Sequence, residues 1–127
     1  MNEKKKILVV DDEPDVLVYL TTLFEDNGYE TISAEDGEQC LEVAKSEKPD
    51  LITLDLIMPK QSGVRSYRYL KKDPDLKDIP VIIITAMGES MEDYLHKLKG
   101  FPDPDGFSNK PIDSKELIEM TAGILSK

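Results

Sequence analysis

Tryptophan is absent from this chain of 127 residues, and cysteine and histidine occur once each. A single cysteine, Cys40, excludes a disulfide framework and a cysteine zinc cluster. The lone histidine, His96, lies on a charged stretch with no convergent partner, which removes histidine-based catalysis and a phosphodonor role. No apolar run approaches the ~18–20 residues of a membrane span, and no charged-then-apolar leader precedes Ile7. A cytoplasmic chain with no membrane contact is therefore expected. Positive charge is also scarce: 16 Lys and Arg face 26 Asp and Glu, a formal net charge of −10. Direct nucleic-acid binding needs a basic footprint, so it is disfavoured, whereas cations and basic partners fit. The length accommodates one domain, expected over 1–127, and the 39% hydrophobic content is enough for one core. The Lys4-Lys5-Lys6 run reads as a solvated terminus.

What is present is an alternation of short apolar runs and helical patterns. Ile7–Val10, Leu51–Leu54 and Val81–Ile84 are almost wholly apolar and rich in β-branched residues. Unbroken apolarity predicts parallel strands covered on both faces. Thr31–Ala34 alternates, and Gly106–Asn109 is weaker still, so both suit sheet edges. After Pro14, apolar residues at Val16, Leu17, Leu20, Leu23 and Phe24 trace one helix face, which Asn27-Gly28 ends. Asp36 and Gln39 form a capping-box-like start for a second helix that uses Leu41 and Ala44, with Cys40 on its core side. A third helix is predicted from near Gly63 through Leu70 and a fourth over about 89–99. A fifth opens at Asp113 and buries Leu117, Ile118, Thr121, Ile124 and Leu125. Five β-α repeats with short connections predict an open parallel sheet of strand order 2-1-3-4-5, with helices on both faces. Ligands in such sheets bind at the carboxyl ends of the strands.

Polar residues follow four of the strands. Strand 1 runs into Asp11-Asp12, strand 3 into Asp55, strand 4 into Thr85-Ala86 and strand 5 into Lys110-Pro111. Each has a plainer explanation when taken singly. Asp11 and Asp12 could cap a helix, and Asp55 could open a loop. Thr85 could satisfy its hydroxyl on backbone, and Lys110 could be a surface lysine. Together they converge on one sheet edge. Two like charges ~4 Å apart at an effective dielectric of ~20 repel by about 4 kcal/mol, so such a site calls for a cation. Hard oxygen donors in a hydrated pocket suit Mg²⁺. A divalent ion, an ammonium and a hydroxyl beside a carboxylate can support phosphoryl transfer to that carboxylate.

These motifs resemble the receiver domain of two-component response regulators, and the chemotaxis regulators in particular. The likeness rests on Ile7-Leu8-Val9-Val10-Asp11-Asp12-Glu13, Leu54-Asp55-Leu56-Ile57-Met58-Pro59, Ile79-Pro80-Val81-Ile82-Ile83-Ile84-Thr85-Ala86 and Asn109-Lys110-Pro111. It covers essentially the whole chain and implies a flavodoxin-like (βα)5 three-layer α/β sandwich. It also implies that Asp55 accepts a phosphoryl group from a sensor histidine kinase's phosphohistidine or from a small acyl phosphate. Asp12 and Asp55 would bind Mg²⁺ (or Mn²⁺) directly, with the Ile57 carbonyl as a third protein ligand and Asp11 acting mainly through water. Lys110 would pair with the phosphoryl group, Ala86 would leave the nucleophile accessible, and Lys110–Pro111 would be a cis peptide. Thr85 would move toward the new phosphoryl oxygens, and Phe107 would turn inward behind it. Such a chain is no conventional enzyme, since it catalyses its own phosphorylation and slow autodephosphorylation. The downstream partner would be a protein meeting the face built by the 89–99 helix, the 106–109 strand and the last helix. No output domain is visible in the sequence, so the chain either acts alone through protein contacts or is a receiver cut from a longer protein.

Two departures and three alternatives shape these expectations. The segment from Thr85 to Lys110 is longer than the family commonly shows, with the excess in 99–105, which bears on the partner face. Ile57 and Met87 occupy positions that tune dephosphorylation, and both are apolar, so slow hydrolysis is expected. A multiple-turnover aspartyl-phosphate phosphohydrolase would carry Asp-x-Asp after the first strand. A flavin-binding electron carrier would need a phosphate-cradling loop there, which Asp11-Asp12-Glu13 would repel. A module with the same fold that is never phosphorylated is the remaining alternative.

Overall fold

The computed structural model describes residues 4–56, 63–86 and 103–126. Its apolar runs form β1 (Lys6–Val10), β3 (Leu51–Leu54) and β4 (Val81–Thr85), and β2 (Glu30–Ala34) and β5 (Gly106–Asn109) flank them. All neighbouring strands are parallel, in the order β2-β1-β3-β4-β5. The three central strands are buried along nearly their whole length, whereas β2 exposes Glu30 and Ser33. The edge assignments read from the sequence therefore hold.

Successive side chains of a strand point to opposite sides of the sheet, and the two cores divide accordingly. Ile7, Val9, Leu51, Ile82 and Ile84 pack with Leu17, Leu20 and Phe24 of α1 (Pro14–Asp26) and Leu117 of α4 (Ser114–Leu125). Leu8, Val10, Ile52, Leu54, Val81 and Ile83 pack with Cys40 and Ala44 of α2 (Gly37–Glu47) and with Tyr67 and Leu70 of α3 (Gly63–Lys72). The result is three layers, with α1 and α4 on one face and α2 and α3 on the other. The predicted 89–99 helix lies outside the described residues.

Local signals account for the helix ends. Pro14 starts α1, and Gly28, at φ +92°, ends it in the conformation that glycine adopts without steric cost. The Asp36 carboxylate accepts the Gln39 amide at 2.9 Å, and the Gln39 side chain accepts the Glu35 amide at 3.1 Å. Asp113 caps α4 through the Glu116 amide at 3.1 Å. Cys40 is fully buried, and burial, helped by the charge of Asp36, pushes its thiol up to about 12. That thiol has no redox character to offer.

Two aspartates fasten the amino-terminal end of the sheet. Asp50, just before β3, donates its amide to the Lys6 carbonyl and accepts the Lys6 amide on its carboxylate, both at 2.8 Å. Asp105, just before β5, does the same to Val81, with both bonds at 2.9 Å.

Candidate functional site

Three backbone hydrogen bonds position the site. The Asp11 amide donates to the Ala34 carbonyl at the end of β2 (3.2 Å). The Asp55 amide donates to Val10 at the end of β1 (3.1 Å), and the Lys110 amide to Thr85 at the end of β4 (3.0 Å). The parallel ladders thus extend past the strands, so each of these candidate residues is held by its neighbour's last carbonyl. This is a rigid mounting for side chains that must meet.

They do meet. The Lys110 ammonium donates to Asp11 Oδ2 at 2.9 Å, Asp55 Oδ2 at 3.2 Å and Glu13 Oε1 at 3.3 Å. Asp11 and Asp55 are buried, and Glu13 is exposed. Burial alone would lower the Lys110 pKa. The hydrogen bond to Asp11 and the charges of Asp55 and Asp11 outweigh it, and the pKa ends above the ordinary lysine value. The ammonium is therefore charged throughout the neutral range. Lys110–Pro111 is cis.

One carboxylate oxygen from each of Asp11, Asp12, Glu13 and Asp55 lies within 4.8 Å of the others. One lysine cannot balance four carboxylates. Oxygens on opposite sides of Mg²⁺ are about 4.2 Å apart, so a small side-chain adjustment would seat the ion. The donor set is all hard oxygen, which fits that ion and not a softer one.

Thr85 ends β4, is fully buried, and its hydroxyl has no hydrogen-bond partner among the described residues. An unsatisfied buried hydroxyl is costly, about 1–3 kcal/mol, and is the exception in folded proteins. Ala86, next to it, is exposed. Phe107 stands opposite Ile83 in the sheet and is partly buried against the α2–α3 core.

The structure therefore brings together Asp11, Asp12, Asp55 and Lys110, with Thr85 alongside through the backbone. Ile57, Met87 and His96, read from the sequence as a carbonyl ligand, a hydrolysis-tuning position and a bystander, lie outside the described residues. Glu13 is the participant that the sequence shows only as part of the Asp11-Asp12-Glu13 motif. The available signal was its place before Pro14: it is the N-cap of α1, yet its side chain makes no capping bond. The Asp11 carboxylate accepts its amide at 3.0 Å instead, which leaves the Glu13 carboxylate for Lys110.

Comparison with known proteins identifies the family. The chain is 33% identical over 121 residues to Protein PilH of Pseudomonas aeruginosa, covering 95% of this chain and 98% of PilH. It is 38% identical over 124 residues to the phosphate regulon transcriptional regulatory protein PhoB of the same organism, covering 97% of this chain and 52% of PhoB. The chain thus spans nearly all of PilH but about half the length of PhoB. Among solved structures, the signal receiver domain of a signal transduction histidine kinase from Syntrophus aciditrophicus superposes with a TM-score of 0.84 at 32% identity, over 96% of this chain and 90% of that one. The sequence model of the response regulator receiver domain matches residues 7–122. The chain belongs to the response regulator receiver domain family of two-component systems.

Proposed function

We propose that this receiver domain accepts a phosphoryl group on Asp55 from the phosphohistidine of a sensor histidine kinase, or from a small acyl phosphate, and that the modification changes which protein it binds. In the transfer, one Asp55 carboxylate oxygen attacks phosphorus. The bond from phosphorus to the imidazole nitrogen breaks, and the released nitrogen takes a proton. Lys110, already 3.2 Å from Asp55 Oδ2, follows the negative charge onto the phosphoryl oxygens. Asp11, Asp12 and Asp55, with the Ile57 carbonyl, would hold Mg²⁺ or Mn²⁺, which when bound neutralises charge on the transferring group. The Thr85 hydroxyl would donate to a phosphoryl oxygen, and Phe107 would repack as Thr85 moves.

The single observation that carries this reading is the Lys110 ammonium bridging Asp11 and Asp55 at 2.9 and 3.2 Å across sequence separations of 99 and 55. No helix among the described residues is long and apolar enough to cross a membrane. The test is intact mass after incubation with Mg²⁺ and acetyl phosphate. One phosphoryl adduct is expected on the wild-type chain and none on Asp55→Ala or in excess EDTA. An adduct that survives Asp55→Ala would overturn the assignment of Asp55, and no adduct on the wild type would overturn the function.

A further inference from the structure

Among the described residues, three large apolar side chains are exposed: Val18 (64%), Tyr19 (46%) and Tyr69 (47%). They fall into two stripes of opposite charge. On α1, Asp15, Val18, Tyr19, Thr22 and Asp26 line a shallow cleft at helical spacing. On α3, Arg65, Arg68, Tyr69 and Lys72 line another, with the Arg65 guanidinium 5.9 Å from the centre of the Tyr69 ring. The α3 helix carries Arg65, Arg68, Lys71 and Lys72 and no acidic residue, in a chain of net charge −10. Both stripes place an aromatic between charged ends, and their charges are complementary. Asp15 and Asp26 are separated by eleven helical positions, about 16 Å. Arg65 and Lys72 are separated by seven, about 10 Å, and their long side chains extend the reach.

We propose that the α1 stripe of one copy of this chain docks on the α3 stripe of the next. The two helices cover opposite faces of the sheet, so one contact leaves an α1 stripe free on one copy and an α3 stripe on the other. The contact is head-to-tail and does not close as a two-fold dimer. It joins a single helix pair, the size of a transient encounter. Its charged component is screened by salt.

Sedimentation velocity on the whole chain tests this at concentrations on the order of a millimolar, where contacts of this size are populated. The wild-type chain should show species beyond dimer that diminish with added salt. Asp15→Asn with Asp26→Asn, and separately Arg65→Gln with Arg68→Gln and Lys72→Gln, should each sediment as monomers. Mixed in equal amounts, these two variants retain one complementary pair of stripes and should stop at a 1:1 dimer. A wild-type chain that stays monomeric, that stops at dimer, or that associates equally well with either set of substitutions would overturn the proposal. So would a monomeric chain whose α3 amide resonances shift with added poly-glutamate, which would give the stripe to an acidic partner instead.

Discussion

Lys110 holds the site through charge, and its removal shows how much. Lys110→Met leaves Asp11 and Asp55, at 1% and 4% exposure, facing each other without an ammonium. The expected loss is about 1–3 kcal/mol in urea denaturation at neutral pH without divalent ions. A native lysine pKa above the ordinary value gives stabilisation that is complete below the unfolded pKa of ~10.4 and is lost as pH rises through the native value. The gap between wild type and Lys110→Met should therefore be constant from pH 6 to 9 and narrow only in stronger alkali. A gap that narrows between pH 6 and 9 would contradict the charge assignment. Thr85 predicts the opposite sign. Its buried hydroxyl lacks a partner, so Thr85→Val should leave the unmodified chain as stable as wild type, or up to about 1 kcal/mol more stable. The same variant should still gain the Asp55 adduct yet show a smaller change in amide shifts on phosphorylation. A large loss of stability would mean that the hydroxyl is already satisfied.

Elements were legible where the signal was local. The unbroken apolar runs of β1, β3 and β4 announced burial on both faces, and the alternation of β2 announced an edge. Pro14, Gly28, Asp36 and Asp113 marked helix ends where the structure has them. Four site residues were legible because they directly follow strands. What escaped depends on distant chain. Nothing in the sequence separates Lys71 from Lys72, yet the Lys71 side chain is only 6% exposed and donates to the Lys77 and Ile79 carbonyls at 3.2 and 3.0 Å, because the 73–80 segment folds over it. The spacing of β5 and α4 is also non-local. A Cβ at Gly106 would come within 2.5 Å of Met120 Sδ and 3.2 Å of Ile82 Cγ1. Gly106→Ala should cost about 1–3 kcal/mol in denaturation, since overpacking displaces the α4 side chain. The cost should fall in a Met120→Val background, and a cost unchanged by that substitution would place the strain elsewhere.

For the whole molecule, the proposed function makes the lifetime of the phosphorylated state the quantity that decides what such a switch is useful for. Ile57 and Met87 cannot hydrogen-bond an attacking water, and both lie outside the described residues. The phosphorylated chain should lose its phosphoryl group slowly, and Ile57→Asn with Met87→Glu should accelerate the loss, measured by intact mass over time after acyl phosphate is removed. An unchanged rate would show that other groups govern water entry. The other end of the sheet guards the chemistry in a different manner. A parallel strand that slid by one residue would turn every side chain to the wrong side, scattering Asp11, Asp55 and Lys110. Asp50 and Asp105 each grip a neighbouring strand by amide and carboxylate at once, so sliding must break both bonds together. Alignment of the carboxylates and the ammonium is thus pinned about five strand residues, roughly 16 Å, away from them, and a chain worn loose at that seam would lose the proposed phosphoryl acceptance with every one of those groups intact.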